Sequence, residues 1–310
     1  MRILIYGAGV VGQIYGGRLT EAGHHVTLLA RGKELERLAA QGVVLEAGAD
    51  ACHVRPALAS EVGPEDPYDI VLVTVRRDQL DDAVPVVAGL TAERVVFLLN
   101  QSQGFEGIRR RVGAARTVFA FPGVGGGRTD EGAIRYLEVP QQRTTVGRHA
   151  GAERLVVDLL RSARFRVAIT ADIEGWLKTH AVFITCLSAA ILACGGDSTA
   201  LATDPGRVRD MVTAVGEGFR ALARDGVTVT PTPLRLLFTR VPRIAAVRYW
   251  CAQLRGPVGT VAIAPHVRAS RDSELPQLWS DVRRLVAGSG PAPHLDQLLD
   301  CISAQAVGPL

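Results

Sequence analysis

With 310 residues, the chain is long for one hydrophobic core and comfortable for two domains, and its 47% hydrophobic and 21% charged residues are those of an ordinary globular protein. A net charge of +4, spread over scattered arginines, excludes the clustered basic stripe of a nucleic-acid partner. No segment reaches the roughly 18 to 20 apolar residues of a membrane span, so no membrane partner is expected.

Residues 2–6 read as a short apolar strand that runs directly into Gly7-Ala8-Gly9-Val10-Val11-Gly12, without the basic leader or cleavage pattern of a secretory signal. A helical stretch to about residue 22 and a second strand at 25–29 follow, and this βαβ context lifts a G-x-G-x-x-G match above a plain glycine-rich turn. Gly7 permits the turn, Gly9 lets a pyrophosphate approach the backbone, and Gly12 lets the helix pack close to the sheet. Val10 and Val11 open the helix whose N-terminus faces the phosphates. At the tip of the second strand an NAD site usually carries Asp or Glu for the ribose 2′-hydroxyl. Here the tip is Ala30-Arg31-Gly32-Lys33, in which Arg31 can grip a 2′-phosphate by its fork and Lys33 adds a point charge. The alternative is a pair of solvated helix-start cations; the missing acid and the added charges together point to NADP(H).

Further strands are expected at 69–75, 94–99 and 117–121, with helices near 78–90 and 105–112; Arg109-Arg110-Arg111 reads as the solvated face of the second of these. The loops after residue 75 and at 100–104 fall at the carboxyl edge of the sheet, beside the cofactor. Residues 122–127 line the same crevice or form a plain turn. Segments 133–137 and 144–147 read as hairpin-like strands extending the sheet, followed by a helix at 151–162 and a strand at 165–169. After residue 170 the period turns helical, starting with one long run from 172 to about 192. Within it, residues 181–194 are the most apolar segment, broken by Thr185 and Ser188, and read as a buried helix. The expected fold is thus α/β, a Rossmann-type parallel-sheet domain over 1–170 followed by an all-α domain over 171–310.

Five cysteines (52, 186, 194, 251 and 301), an odd number without C-x-x-C spacing, argue against a disulfide framework or a metal site and for a reducing cytoplasm. Of 35 basic residues, only Lys33 and Lys178 are lysine. Arginine suffices for generic charge, whereas an ammonium group can give up its proton near neutral pH once desolvated.

Together these motifs resemble the ketopantoate reductase (2-dehydropantoate 2-reductase) family over nearly the whole chain. The resemblance rests on the glycine turn, Arg31-Gly32, Val73-Thr74-Val75 before the basic Arg76, Glu174-Gly175-Trp176-Leu177-Lys178, and Arg271-Asp272-Ser273-Glu274-Leu275. It implies an active site between the two domains, a hydride passing from NADPH to a keto carbon of a small-molecule substrate, Lys178 as general acid and Glu274 holding the substrate hydroxyl. Arg76 stands where the family has a lysine, and Asn100 or Gln101 replaces its N-G cofactor signature. The substrate-binding asparagines fall at Val182 and Cys186, and the serine near Ala262. Those replacements keep the reduction machinery and point away from ketopantoate itself.

The residues alone leave other readings open. Glu174 and Lys178, four apart on one helical face, also fit an ordinary salt bridge, and Glu274 fits a solvated charge beside Arg271. His180 and His266 are alternative acids or ordinary surface or core residues. The same scaffold suits reduction of an imine, oxidation of a hydroxy acid, or an NADP(H)-binding sensor without turnover. A homodimer is a candidate assembly, since helical second domains of this kind often pair.

Overall fold

The computed structural model of the chain describes residues 1–305. They divide into two compact units, one of Met1–Leu99 with Gly104–Ile173, the other of Asn100–Gln103 with the chain from Glu174 onward.

The first unit opens with β1 (Arg2–Tyr6), α1 (Val10–Glu21), β2 (His25–Leu29) and α2 (Gly32–Gln41). Three strands absent from the sequence reading come next: β3 (Val43–Ala47), β4 (Asp50–Val54) and β5 (Ala57–Ala59). Then follow β6 (Tyr68–Val73), α3 (Leu80–Gly89), β7 (Ala92–Leu98), α4 (Phe105–Val112) and β8 (Thr117–Phe121). The unit closes with β9 (Val124–Arg128), β10 (Ile134–Glu138), β11 (Thr144–Gly147), α5 (Glu153–Ser162) and β12 (Val167–Thr170). Eight strands form one sheet in the order β12-β11-β8-β7-β6-β1-β2-β5, parallel throughout except where β11 meets β8. The central strands are buried along most of their length, as a parallel sheet covered on both faces requires.

Two expectations need correction. Segment 144–147 does extend this sheet, but 133–137 does not: β10 joins a separate four-stranded sheet, β4-β3-β10-β9. The glycine-rich stretch at 122–127 is no plain turn, because Val124–Arg128 is a strand of that second sheet. Helix α1 reaches both sheets through glycines. A Cβ on Gly16 would come within 2.8 Å of Leu28 Cδ2 in the main sheet, and one on Gly17 within 2.8 Å of Leu45 Cδ1 in the second.

The second unit contains only helices among the described residues: α6 (Ile173–Leu192), α7 (Ser198–Ala202), α8 (Pro205–Arg224), α9 (Thr232–Thr239), α10 (Arg243–Arg255), α11 (Ala264–Ser270), α12 (Glu274–Val286) and α13 (Pro293–Gln305). A π-helical turn, Val258–Ile263, leads into α11. Asp204 caps α8 by accepting from the amides of Gly206 and Arg207, with Pro205 at the first helical position. Helix α6 is longer than the apolar segment 181–194. It has 20 residues, and an 18-residue window within it has a mean hydropathy of 1.4, enough to cross a membrane by length and composition, but 89% of that window is buried within the protein. It is the axis of the unit's hydrophobic core, with Phe183 packed against Phe238 and Trp250.

Candidate active site

Strands β1, β2 and β6 are parallel neighbours in register, with Tyr6 opposite both Leu29 and Val73. The segments that leave them therefore emerge at one sheet edge: Gly7–Gly12 after β1, Arg31 and Lys33 after β2, Arg76 after β6. At the glycine turn each glycine has a separate reason. Gly7 adopts φ +117°, a region L side chains avoid. A Cβ on Gly12 would lie 1.9 Å from the Gly7 carbonyl oxygen and 2.7 Å from Thr74 Oγ1. A Cβ on Gly9 would meet nothing within 4 Å. The space above Gly9 is thus open, and it lies at the N-terminus of α1, which has no side-chain cap and no acidic residue in its first turn. Val10 and Val11 start that turn. Free amides and the positive end of the helix dipole make this a seat for an anion, so the residues present fit a dinucleotide pyrophosphate.

The turn is clamped by residues to which the sequence reading gave no role. Thr74 Oγ1 donates to the Gly7 carbonyl at 2.8 Å, and Gln13 Nε2 donates to the Ala8 carbonyl at 2.7 Å and to Glu34 Oε1 at 2.6 Å.

Arg31 is exposed at the N-terminus of α2, with its Nε 3.4 Å from the Ser60 carbonyl and its guanidinium beside Tyr6. Burial raises the Tyr6 phenol pKa, and Arg31 opposes that rise. Lys33 is exposed two residues on. A carboxylate does stand close in sequence, Glu34, but its charge is already engaged. Arg37 reaches it at 2.6 Å and Arg128, from β9, at 2.8 Å. Arg76 is half exposed and pairs with Asp78 at 3.4 Å.

In the second unit, α6 carries Glu174, Trp176, Lys178 and His180. Lys178 is half-buried, as is Glu174 one turn before it. Trp176 is buried and stacks on His180, ring centroids 5.3 Å apart and planes within 2°. Burial lowers the His180 pKa to about 3, with neighbouring His266 adding to the effect. Near neutral pH His180 is a neutral ring with no acidic proton to give, so it is no alternative proton donor. Val182 and Cys186 are fully buried core residues. A Cβ on Gly218 of α8 would come 2.4 Å from Val182 Cγ1, so this position is filled by helix packing. Ala262 lies buried in the π-helical turn.

Glu274 is not the solvated charge that its neighbour Arg271 suggested. It is 3% exposed at the start of α12, while Arg271 pairs with Asp272 at 3.8 Å. Asn100 Nδ2 donates to Glu274 Oε1 at 3.3 Å, and His266 Nε2 lies 3.5 Å from Oε2. On the far side of that ring, Nδ1 is 3.4 Å from Ser270 Oγ. Asn100 and Gln101, expected at the cofactor, fall in the second unit, and the Asn100 amide has a carboxylate partner. Asn100 Oδ1, Gln101 Oε1 and Ser102 Oγ are buried without a hydrogen-bond partner in the protein. Three such atoms in consecutive residues are unusual, because each unmet polar group costs about 1 to 3 kcal/mol. The four cysteines with described side chains are unpaired; the Cys301 side chain lies outside the described residues.

Residues 3–151 match the family model described as ketopantoate reductase PanE/ApbA. Among curated proteins, the 2-dehydropantoate 2-reductase of Pyrococcus horikoshii is 23% identical over 252 residues, 76% of this chain and 78% of that protein. Two solved structures share the fold over almost their whole length. One is the 2-dehydropantoate 2-reductase of Geobacter metallireducens, with a TM-score of 0.76 at 17% identity, covering 98% of this chain and 100% of that one. The other is a D-mandelate dehydrogenase with NADH and anilino(oxo)acetate, with a TM-score of 0.76 at 16% identity, covering 99% and 98%.

Proposed function

Because its residues 3–151 match the family model described as ketopantoate reductase PanE/ApbA, we propose that this chain is a member of that family, an NADPH-dependent reductase of a 2-keto acid or related carbonyl with Lys178 as proton donor. The observation that carries the reading is the uncapped N-terminus of α1 behind Gly9, where an alanine Cβ would meet nothing and a pyrophosphate can reach the amides. The choice of NADPH over NADH is supported by Arg31 and Lys33, exposed at the end of β2, and by Glu34, whose carboxylate is occupied by Arg37 and Arg128. Arg76 adds a cation at the same sheet edge.

Bound NADPH supplies the hydride to the keto carbon. The charge that develops on the carbonyl oxygen needs a proton, and Lys178 provides it from a half-buried position on a helix that is otherwise core. Glu274, an acceptor while ionised, holds a hydroxyl group. The substrate has an apolar side chain. Val182, Cys186 and Ala262, at the positions where the family places polar substrate ligands, are all buried and none can hydrogen-bond a hydroxylated side chain well. Since the similar D-mandelate dehydrogenase binds an aryl 2-oxo acid analogue, phenylglyoxylate belongs among the first compounds to try. Unpaired cysteines favour a reducing compartment such as the cytoplasm. A homodimer remains part of the proposal.

The test follows NADPH consumption with pyruvate, 2-oxoisovalerate, ketopantoate, phenylglyoxylate and a cyclic imine. Turnover of a 2-keto acid by the wild type, lost in Lys178→Ala with NADPH binding retained, is the expected result. Full activity in Lys178→Ala overturns the proton role. Reduction of the imine alone moves the chemistry to C=N, and NADPH binding without turnover of any compound makes the protein a sensor.

A further inference from the structure

A buried carboxylate is useful only if something fixes its orientation, and in this protein Glu274 has an unusual partner. The side chain is 3% exposed. One oxygen accepts from the Asn100 amide at 3.3 Å, and the other faces His266 Nε2 at 3.5 Å. His266 follows from α11, and its ring is held from behind by Ser270, one helical turn further on, at 3.4 Å from Nδ1. A second imidazole, His180 on α6, lies near enough to feel the charge of His266 and is itself kept neutral by burial. Asn100, Glu274, His266 and Ser270 thus form one polar chain.

We infer that His266 is a positioning residue: it orients the Glu274 carboxylate through Nε2, while Ser270 fixes the ring. The physical reason is the asymmetry of burial. A carboxylate out of water turns toward the donors that face it, and each donor held in place narrows the orientations open to it. The Asn100 amide donates to one of the two oxygens. His266, 33% exposed, faces the other at 3.5 Å and limits how far the carboxylate can turn. What Glu274 then does for a substrate rests on the reductase reading above; how it is held does not.

The experiment uses the full chain with 15N-labelled histidine, His266→Gln serving to assign the ring signals. In Glu274→Gln the His266 nitrogen signals should move. Those of His294, paired with Glu217 at 2.9 Å elsewhere in the unit, should stay. On whichever 2-keto acid the wild type reduces, His266→Phe should lower kcat/KM about tenfold or more, as loss of a partner to a charged group predicts. His266→Gln, which keeps a donor, should recover most of that loss. Adding His266→Phe to Glu274→Gln should cost nothing further, because the two act as one unit. A His266 signal indifferent to Glu274→Gln, or wild-type kinetics in the phenylalanine variant, overturns the inference. If the wild type reduces no compound, the reductase reading falls while the histidine signals still decide whether His266 holds Glu274.

Discussion

Alanine at Gly9 and alanine at Gly12 should fail in different ways, and the difference tests whether the first unit seats a dinucleotide. At Gly12 the new Cβ would stand 1.9 Å from the Gly7 carbonyl oxygen and 2.7 Å from Thr74 Oγ1, and the first of these is backbone that cannot swing aside. Forcing one methyl into such a contact costs about 1 to 3 kcal/mol, which for a chain of this size lowers Tm by roughly 2 to 12 °C. At Gly9 the backbone has φ −71° and ψ −171°, which any residue adopts, and the Cβ would meet nothing. The stability cost there is at most about 1 kcal/mol, the price of an alanine at a helix N-cap. What Gly9→Ala does fill is the space a pyrophosphate needs. Losing one charge-assisted hydrogen bond of about 1.5 to 3 kcal/mol weakens NADPH binding about 10- to 150-fold. Thermal melts and fluorescence titration with NADPH read the two effects separately. A folded Gly9→Ala protein that binds NADPH with unchanged affinity would refute the seat.

Other outcomes follow from the same geometry. Arg31→Ala should weaken NADPH about tenfold or more while leaving NADH nearly unchanged, measured as the ratio of the two Kd values, since the arginine addresses only the 2′-phosphate. Breaking the Glu34 clamp should act in the same direction: Arg128→Ala leaves an engaged carboxylate short of one partner and lowers the preference for NADPH, read in the same ratio. His180 sets a pH dependence of stability. Its folded pKa of about 3 lies below the ordinary histidine value of 6.5, so between those values the unfolded chain binds a proton that the folded one does not. Stability is therefore undiminished above about pH 6.5 and falls as pH drops toward 3, by up to about 1.4 kcal/mol per pH unit. His180→Phe should flatten that slope in urea melts taken across the window.

How much of this was legible in the sequence depended on distance along the chain. The strand, glycine turn, helix and strand at the N-terminus could be read because each signal lies within a few residues of the next. The clamps on that turn could not. Thr74 is 67 residues from Gly7, and Arg128 is 94 from Glu34. The glycines near residue 125 misled for a physical reason. A glycine run looks like a turn, yet a Cβ on Gly126 would lie 2.4 Å from the Arg135 carbonyl oxygen, and one on Gly123 would lie 2.3 Å from the Thr144 amide. These glycines serve close backbone approach in and beside a strand, which composition does not distinguish from a bend. Strands β3 and β4 escaped notice because their residues alternate only loosely between buried and exposed. In the second unit, the motif around Lys178 was readable as a local pattern. The pairing of His266 with Glu274 was not, because it crosses the break between α11 and α12.

The four residues Asn100–Gln103 have a consequence for anyone dissecting this protein. They leave β7 of the first unit, contribute to the second, and return to α4, so the polypeptide passes between the units at three places rather than one. No single scissor cut yields two intact halves. A fragment beginning at Glu174 would lack the amide that donates to Glu274, and the second half's own chemistry is therefore partly encoded in the first hundred-odd residues.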